Sequence, residues 1–144
     1  MDFNALKARA MEQLMIARRI VDTTYTIVHQ PKLFLPAVNS IYEAFDITMN
    51  GILESKGVKF DMNNHDEKIN LFENNFQLDN HTLSLIKKLR LTLDEHKNAS
   101  VEFVRDEKFI ISDNDYHMTA LSLESVKGMI SYSEKYIDAL YAKL

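Results

Sequence analysis

Three glycines and two prolines in 144 residues leave this chain few places to turn tightly. Sandwiches and barrels need many short strands joined by tight turns, and those turns draw on glycine for positive φ and on proline for a preset φ. A chain so poor in both is driven toward a few long elements. The expected fold is all-α: an up-and-down bundle of about five helices, with a small β-hairpin inserted before the last, forming one domain over residues 1–144. The chain is long enough to bury a core without staples. Its 46% hydrophobic and 26% charged residues are the balance of a globular protein rather than a disordered one.

Apolar periodicity places the helices. Leu6, Ala10, Leu14, Ala17, Val21, Thr24 and Val28 recur at spacings of three and four, so one stripe predicts a helix from Asp2 to His29. Gln30-Pro31 ends it, because the residue before proline is pushed out of the α region. A second helix runs from Pro36 to Ser55, with Val38, Ile41, Tyr42, Phe45, Met49, Ile52 and Leu53 inward and Gly57 as its C-terminal cap. Asp66–Phe76 reads as a short third helix. A fourth, capped by Asp79 or Asn80, runs to Lys97 with Leu83, Ile86, Leu89 and Leu93 inward. The period then changes. Val101–Val104, Phe109–Ser112 and Tyr116–Leu121 are short and rich in aromatic and β-branched residues, and Asp113-Asn114-Asp115 is turn chemistry. The last two segments form the hairpin, with the first as a candidate third strand. Ser122 caps the final helix, whose inward face is Val126, Met129, Ile130, Ser133, Ile137, Leu140 and Leu144.

Several chemistries are excluded by composition. With no cysteine there is no disulfide, no thiolate nucleophile and no cysteine-ligated metal. No glycine-rich phosphate loop and no nucleophile elbow can be written from three isolated glycines. The first ten residues lack an apolar signal core, and no uncharged stretch reaches the ~20 residues of a membrane span. A cytoplasmic location without membrane contact is therefore expected. The net charge of −4 opposes a generally basic, duplex-binding surface. Local basic groups remain, at Lys7, Arg9, Arg18 and Arg19 and at Lys87, Lys88 and Arg90, and solvated helix faces explain them without a ligand.

The pair that carries candidate chemistry is Arg90 and His96. Histidine exchanges a proton near neutral pH, and arginine stabilises charge building on a phosphate, so together they suit metal-free phosphodiester cleavage. Six residues apart on a helix, they lie ~120° apart around the axis and ~9 Å apart along it, flanking the Ile86, Leu89, Leu93 stripe. The plainer account is a surface arginine and a boundary histidine near a helix C-terminus. The other groups have simpler readings. His29 closes the first helix. His65, Asp66 and Glu67 open the third. Asp113, Asp115 and His117 form a turn that lacks the glycine and distal glutamate of a calcium loop. Glu43, Asp46 and Asn50 share one helical face and offer oxygens to a cation, although a solvated face suffices. No metal or cofactor is expected. Tyr132, Tyr136 and Tyr141 on the last helix are candidate anchors of a homodimer interface.

Three segments carry a resemblance: Ala44–Gly57, a helix ending in glycine; Arg90-Leu91-Thr92-Leu93-Asp94-Glu95-His96, an Arg-x4–6-His pattern; and the terminal helix around Ser131–Ile137. Together they resemble the HEPN superfamily of helical nucleotide-binding bundles. That resemblance implies a dimerising bundle with an RNA- or nucleotide-related cleft. It also implies, in many members, metal-independent endoribonuclease activity of the toxin or defence type. Carried over residue by residue, His96 would be the acid/base group and Arg90 the group that stabilises phosphate charge. Leu91 stands where that pattern usually has a polar residue. With the acidic net charge, it favours a second reading: a non-catalytic helical module that binds a protein partner encoded nearby.

Overall fold

The computed structural model describes residues 2–144. The side chain of Asp2 accepts hydrogen bonds from the backbone N–H groups of Asn4 and Ala5 and so starts α1 (Phe3–Arg19). The helix continues through a π-helical turn at Ile20–Thr24 into α2 (Tyr25–Val28) and closes on His29 in the left-handed region. The wider turn explains where the expected stripe fails. Leu6, Ala10, Leu14, Ala17 and Val21 are buried as the spacing predicts, but the next buried position is Tyr25 rather than Thr24. A π turn takes up an extra residue, so the inward face slips by one and leaves Val28 half exposed.

After a 3-10 turn at Pro31–Leu33, α3 (Phe34–Ser55) is the most buried helix and the centre of the molecule. Pro36 sits in its first turn, where no N–H is required. Its end is a Schellman motif: Gly57, at φ 71°, donates to Glu54, and Val58 donates to Leu53. Asn64 caps α4 (His65–Asn75), Asp79 caps α5 (Asn80–Lys97), and Ser122 with Ser125 forms a capping box on α6 (Leu123–Tyr141).

Paired contacts give the directions. Leu6 abuts Gly51 while the Tyr25 and Phe34 rings meet at 4.8 Å, so α1 and α3 are antiparallel. Lys7 pairs with Asp138 and Asp22 with Lys127, so α1 and α6 are antiparallel too. Thr82 and Leu140 line one small hollow, setting the start of α5 against the end of α6. α4 lies outside this four-helix core. Its residues Ile69 and Phe72 are buried against it, and Glu73 approaches Lys87 of α5.

The β element is larger than the expected hairpin. β1 (Val101–Arg105), β2 (Lys108–Ser112) and β3 (Met118–Leu121) form a three-stranded antiparallel sheet in the order β1-β2-β3. The β1–β2 turn is two residues, Asp106-Glu107, both at positive φ. That backbone usually selects glycine or asparagine, so these acids carry no turn signal, and Val101–Val104, only a candidate third strand in the sequence, is realised as β1. β2 is central, and its Phe109 and Ile111 join the helical core. No helix among the described residues is long and apolar enough to cross a membrane.

Candidate functional site

Three helices each contribute a pair of polar side chains one turn apart to a single cluster. On α3 they are Tyr42 and Asp46, on α4 His65 and Lys68, and on α5 Arg90 and Asp94. Spacings of three and four put each pair on one helical face. The faces meet because the apolar residues beside them, Ile41, Phe45, Ile69 and Leu89, are buried in the core.

Lys68 is fully buried. Its Nζ lies 2.6 Å from Asp46 Oδ1 and donates to the carbonyl of Met62 at 2.9 Å. The cation that Glu43, Asp46 and Asn50 were expected to be able to hold is therefore supplied, at Asp46, by the protein's own ammonium. Burial pushes the Glu43 carboxyl above its ordinary value, with the Asp46 charge adding to the effect.

Tyr42 joins the other two helices. Its hydroxyl is 3.0 Å from His65 Nδ1, and its ring lies 4.8 Å from the Arg90 guanidinium carbon. Burial, and then the Asp46 charge, push the Tyr42 hydroxyl far above the ordinary tyrosine value, so it keeps its proton. Burial, and then the Arg90 charge, push the His65 imidazole down, so it is neutral at pH 7. With both groups neutral, Tyr42 and Nδ1 share one hydrogen bond, in which either the hydroxyl or an Nδ1–H can donate.

Arg90 places its Nε 3.1 Å and its Nη2 3.0 Å from the same oxygen of Asp94. Its guanidinium sits between two adjoining hollows that share Asp66, Arg90 and Asp94. One, of about 470 Å³, is walled by Ile69, Lys87 and Leu91. The other, of about 460 Å³, is walled by Asp61, Asn64, His65 and Lys97. Together they form a cleft between α4 and α5.

His96 is not in that cleft. Its Nδ1 is 2.6 Å from Glu102 on β1, while the neighbouring Glu95 accepts a hydrogen bond from Thr119 on β3. The end of α5 thus faces the sheet with residues 95 and 96, and faces α3 and α4 with residue 90. Within one chain the structure does not bring Arg90 and His96 together. The histidine it places beside Tyr42 and Arg90 is His65, which the sequence reading assigned to a helix start. His65 is indeed the first residue of α4, but the Asn64 side chain does the capping and leaves the imidazole free to turn toward Tyr42.

The ligand atoms of Asp113, Asp115 and His117 lie within 4.8 Å of one another, and Asp113 Oδ1 accepts from the N–H groups of Asp115 and His117, which is a turn closing on its own backbone. Tyr141 is buried and its hydroxyl lies 2.9 Å from Thr48 Oγ1, so it belongs to the core and not to a surface. Tyr132 is exposed and stacks on Tyr136 at 6.0 Å. The basic groups of α1 are partly neutralised, Lys7 by Asp138 and Arg18 by Glu134. No protein-family model, curated protein or solved structure matches the chain.

Proposed function

We propose that this chain is a HEPN-like helical domain that binds rather than cuts: a degenerate relative of the metal-independent ribonucleases, working in the cytoplasm through the cleft between α4 and α5. The observation that carries this reading is the separate engagement of the two motif residues. Arg90 is held by Asp94 over the Tyr42 ring, and His96 is held by Glu102 at the sheet. Metal-free cleavage needs the proton-transfer group and the phosphate-stabilising group within reach of one phosphodiester. A binding site needs only Arg90 and the cleft it lines.

The test is incubation of a mixed RNA pool with purified protein in excess EDTA, with Arg90→Ala and His96→Ala in parallel. The binding reading expects no cleavage above a mock-purified control from any of the three. Cleavage by wild type that leaves 2′,3′-cyclic phosphate ends and is lost in both variants overturns it, and restores the ribonuclease in which Arg90 and His96 act as a pair.

A second reading draws on Tyr132. An aromatic residue 58% exposed and stacked on its neighbour is an anchor suited to a protein interface, either a second copy of this chain or a separate partner. Sedimentation of wild type against Tyr132→Glu checks the homodimer. A dimer that the charge converts to monomer supports it, and an unchanged sedimentation coefficient removes α6 as the contact.

A further inference from the structure

We propose that the cleft between α4 and α5 takes a small hydroxylated phosphomonoester, of the sugar-phosphate kind, with its phosphate on Arg90 and Lys87 and its hydroxyls on the facing wall. The inference rests on the binding reading of this cleft and names the ligand class.

The two walls differ in chemistry. On α5, Lys87, Arg90, Asp94 and Lys97 follow one another at spacings of three and four, so one stripe of the helix faces the cleft with three cations and one carboxylate. The opposite wall is α4 with the loop before it. There Asp61, Asn63, Asn64, Asp66 and Asn70 offer carboxylates interleaved with carboxamides. Hydroxyl groups both donate and accept, and a wall of acceptors and donors suits them better than it suits an ammonium, which only donates. Ile69, buried, and Leu91, exposed at the edge, give the hollow apolar surface for a carbon skeleton. A ligand anionic at one end and hydroxylated at the other matches both walls.

Arg90 is prepared for the phosphate. Tyr42 backs the guanidinium, which limits its rotamers before a ligand arrives. Asp94, 44% exposed, is the anion it now holds. A phosphomonoester carries up to two charges, offers more acceptor oxygens and can displace that carboxylate. The same wall argues against a polynucleotide. Asp61 and Asp66 at the mouth would repel a run of phosphates, and the chain as a whole is acidic.

A proton signature accompanies such binding. His65 is faced by Tyr42 and Asp46 from α3 and by Arg90 and Asp94 from α5, with Lys68 on its own helix. It is neutral at pH 7. A dianion entering the cleft favours its charged form, so the His65 share of the linkage is proton uptake on binding, opposed near pH 6 by protonation of the ligand's own phosphate.

The experiment is calorimetric titration of the full chain with ribose 5-phosphate, alongside ribose, inorganic phosphate and a single-stranded RNA with 5′-hydroxyl ends. The expected result is binding of ribose 5-phosphate at least tenfold tighter than either fragment. Arg90→Gln should weaken it at least tenfold, Lys87→Gln severalfold, and Asp94→Asn should tighten it. Lys87 is on the surface, so its variant keeps the test valid if Arg90→Gln disturbs folding. The heat should differ between buffers of different ionisation enthalpy, and the proton uptake it reports should be smaller in His65→Gln. RNA binding more tightly than ribose 5-phosphate, with the same loss in Arg90→Gln, overturns the monoester and leaves the cleft as the binding site. No binding of any probe overturns both the monoester and the binding reading.

Discussion

The Tyr42 hydroxyl stands 3.0 Å from Nδ1 of His65 and ties the middle of α3 to the first residue of α4. Where Tyr42 is the donor, this bond favours the neutral imidazole, in the direction in which burial and the Arg90 charge already push His65. Tyr42→Phe removes that bond. The His65 pKa should then rise, which an NMR titration of the ring protons reads directly, and stability should fall by about 1–2 kcal/mol for the lost bond and the unpaired nitrogen. The acid side of the stability profile has a definite sign. His65 titrates lower in the folded chain than its ordinary 6.5, so the unfolded chain binds the extra proton first. Its contribution is intact above about pH 7 and is lost as pH falls through 6.5 toward the lower folded value. Denaturant midpoints at pH 7 and pH 5 should therefore converge in His65→Gln relative to wild type. Equal pH slopes in both proteins would mean His65 is not held neutral by its surroundings.

The Lys68–Asp46 pair makes a contrasting prediction. Lys68 is fully buried and Asp46 nearly so. Lys68→Met leaves the Asp46 carboxylate buried without its ammonium, and removing one member of such a pair costs about 3–5 kcal/mol. The double variant Asp46→Leu, Lys68→Met replaces both with apolar groups of similar size and should recover most of that loss. Urea midpoints for the two single variants and the double variant decide it. A double variant as unstable as the sum of the singles shows that the pair is not an isolated unit.

The helices were legible because their inward faces follow one period and their ends carry recognisable caps. Asn64 was not foreseen as a cap, but Asp79, Ser122 and Gly57 stand where their side chains or φ demanded. What the sequence hid was local backbone irregularity: the π turn at Ile20–Thr24, which shifts the buried position to Tyr25, and the positive-φ turn at Asp106-Glu107, which adds β1. The site was half legible. Arg90 was visible through its motif, but its partners were not. Tyr42 reads as core and His65 as a helix start, while Lys68 carries no signal of its own. Only tertiary packing puts these residues beside Arg90, and spacing within one helix cannot reveal it.

Asp79 tests the capping of α5. Its Oδ1 accepts from the Thr82 N–H at 2.8 Å, and this bond, followed by others from Thr82 and His81, holds the carboxyl below its ordinary range. Asp79→Ala should cost about 0.5–2 kcal/mol at pH 7. Because the folded value is depressed, the ionised cap contributes fully above the unfolded value near 4, and that part is lost as pH falls through the lower folded value. Asp79→Asn retains the acceptor without the charge, so it should show a smaller loss at pH 7 and almost no acid-dependent part. Thermal unfolding of the three proteins at pH 7 and pH 3 separates the two contributions.

Gly51 records how closely α1 and α3 approach. A Cβ at this position would lie 2.3 Å and 2.7 Å from the two methyl carbons of Leu6, whose side chain is itself buried. In an open helix, Gly→Ala gains about 1 kcal/mol. Here the added methyl forces Leu6 off its rotamer or spreads the helices, and overpacking of that kind costs about 1–3 kcal/mol. The cost exceeds the gain, so Gly51→Ala should be net destabilising by about 1 kcal/mol. Leu6→Ala alone opens a void and should also destabilise. In the double variant the new methyl occupies space the leucine has left, so the helix-propensity gain is recovered and the combined loss should fall short of the sum by about 1 kcal/mol or more. A double-mutant cycle measured by urea unfolding reads this coupling. Strict additivity would mean that Leu6 does not rest on Gly51 in solution, and that the N-terminal turn of α1 is free of α3.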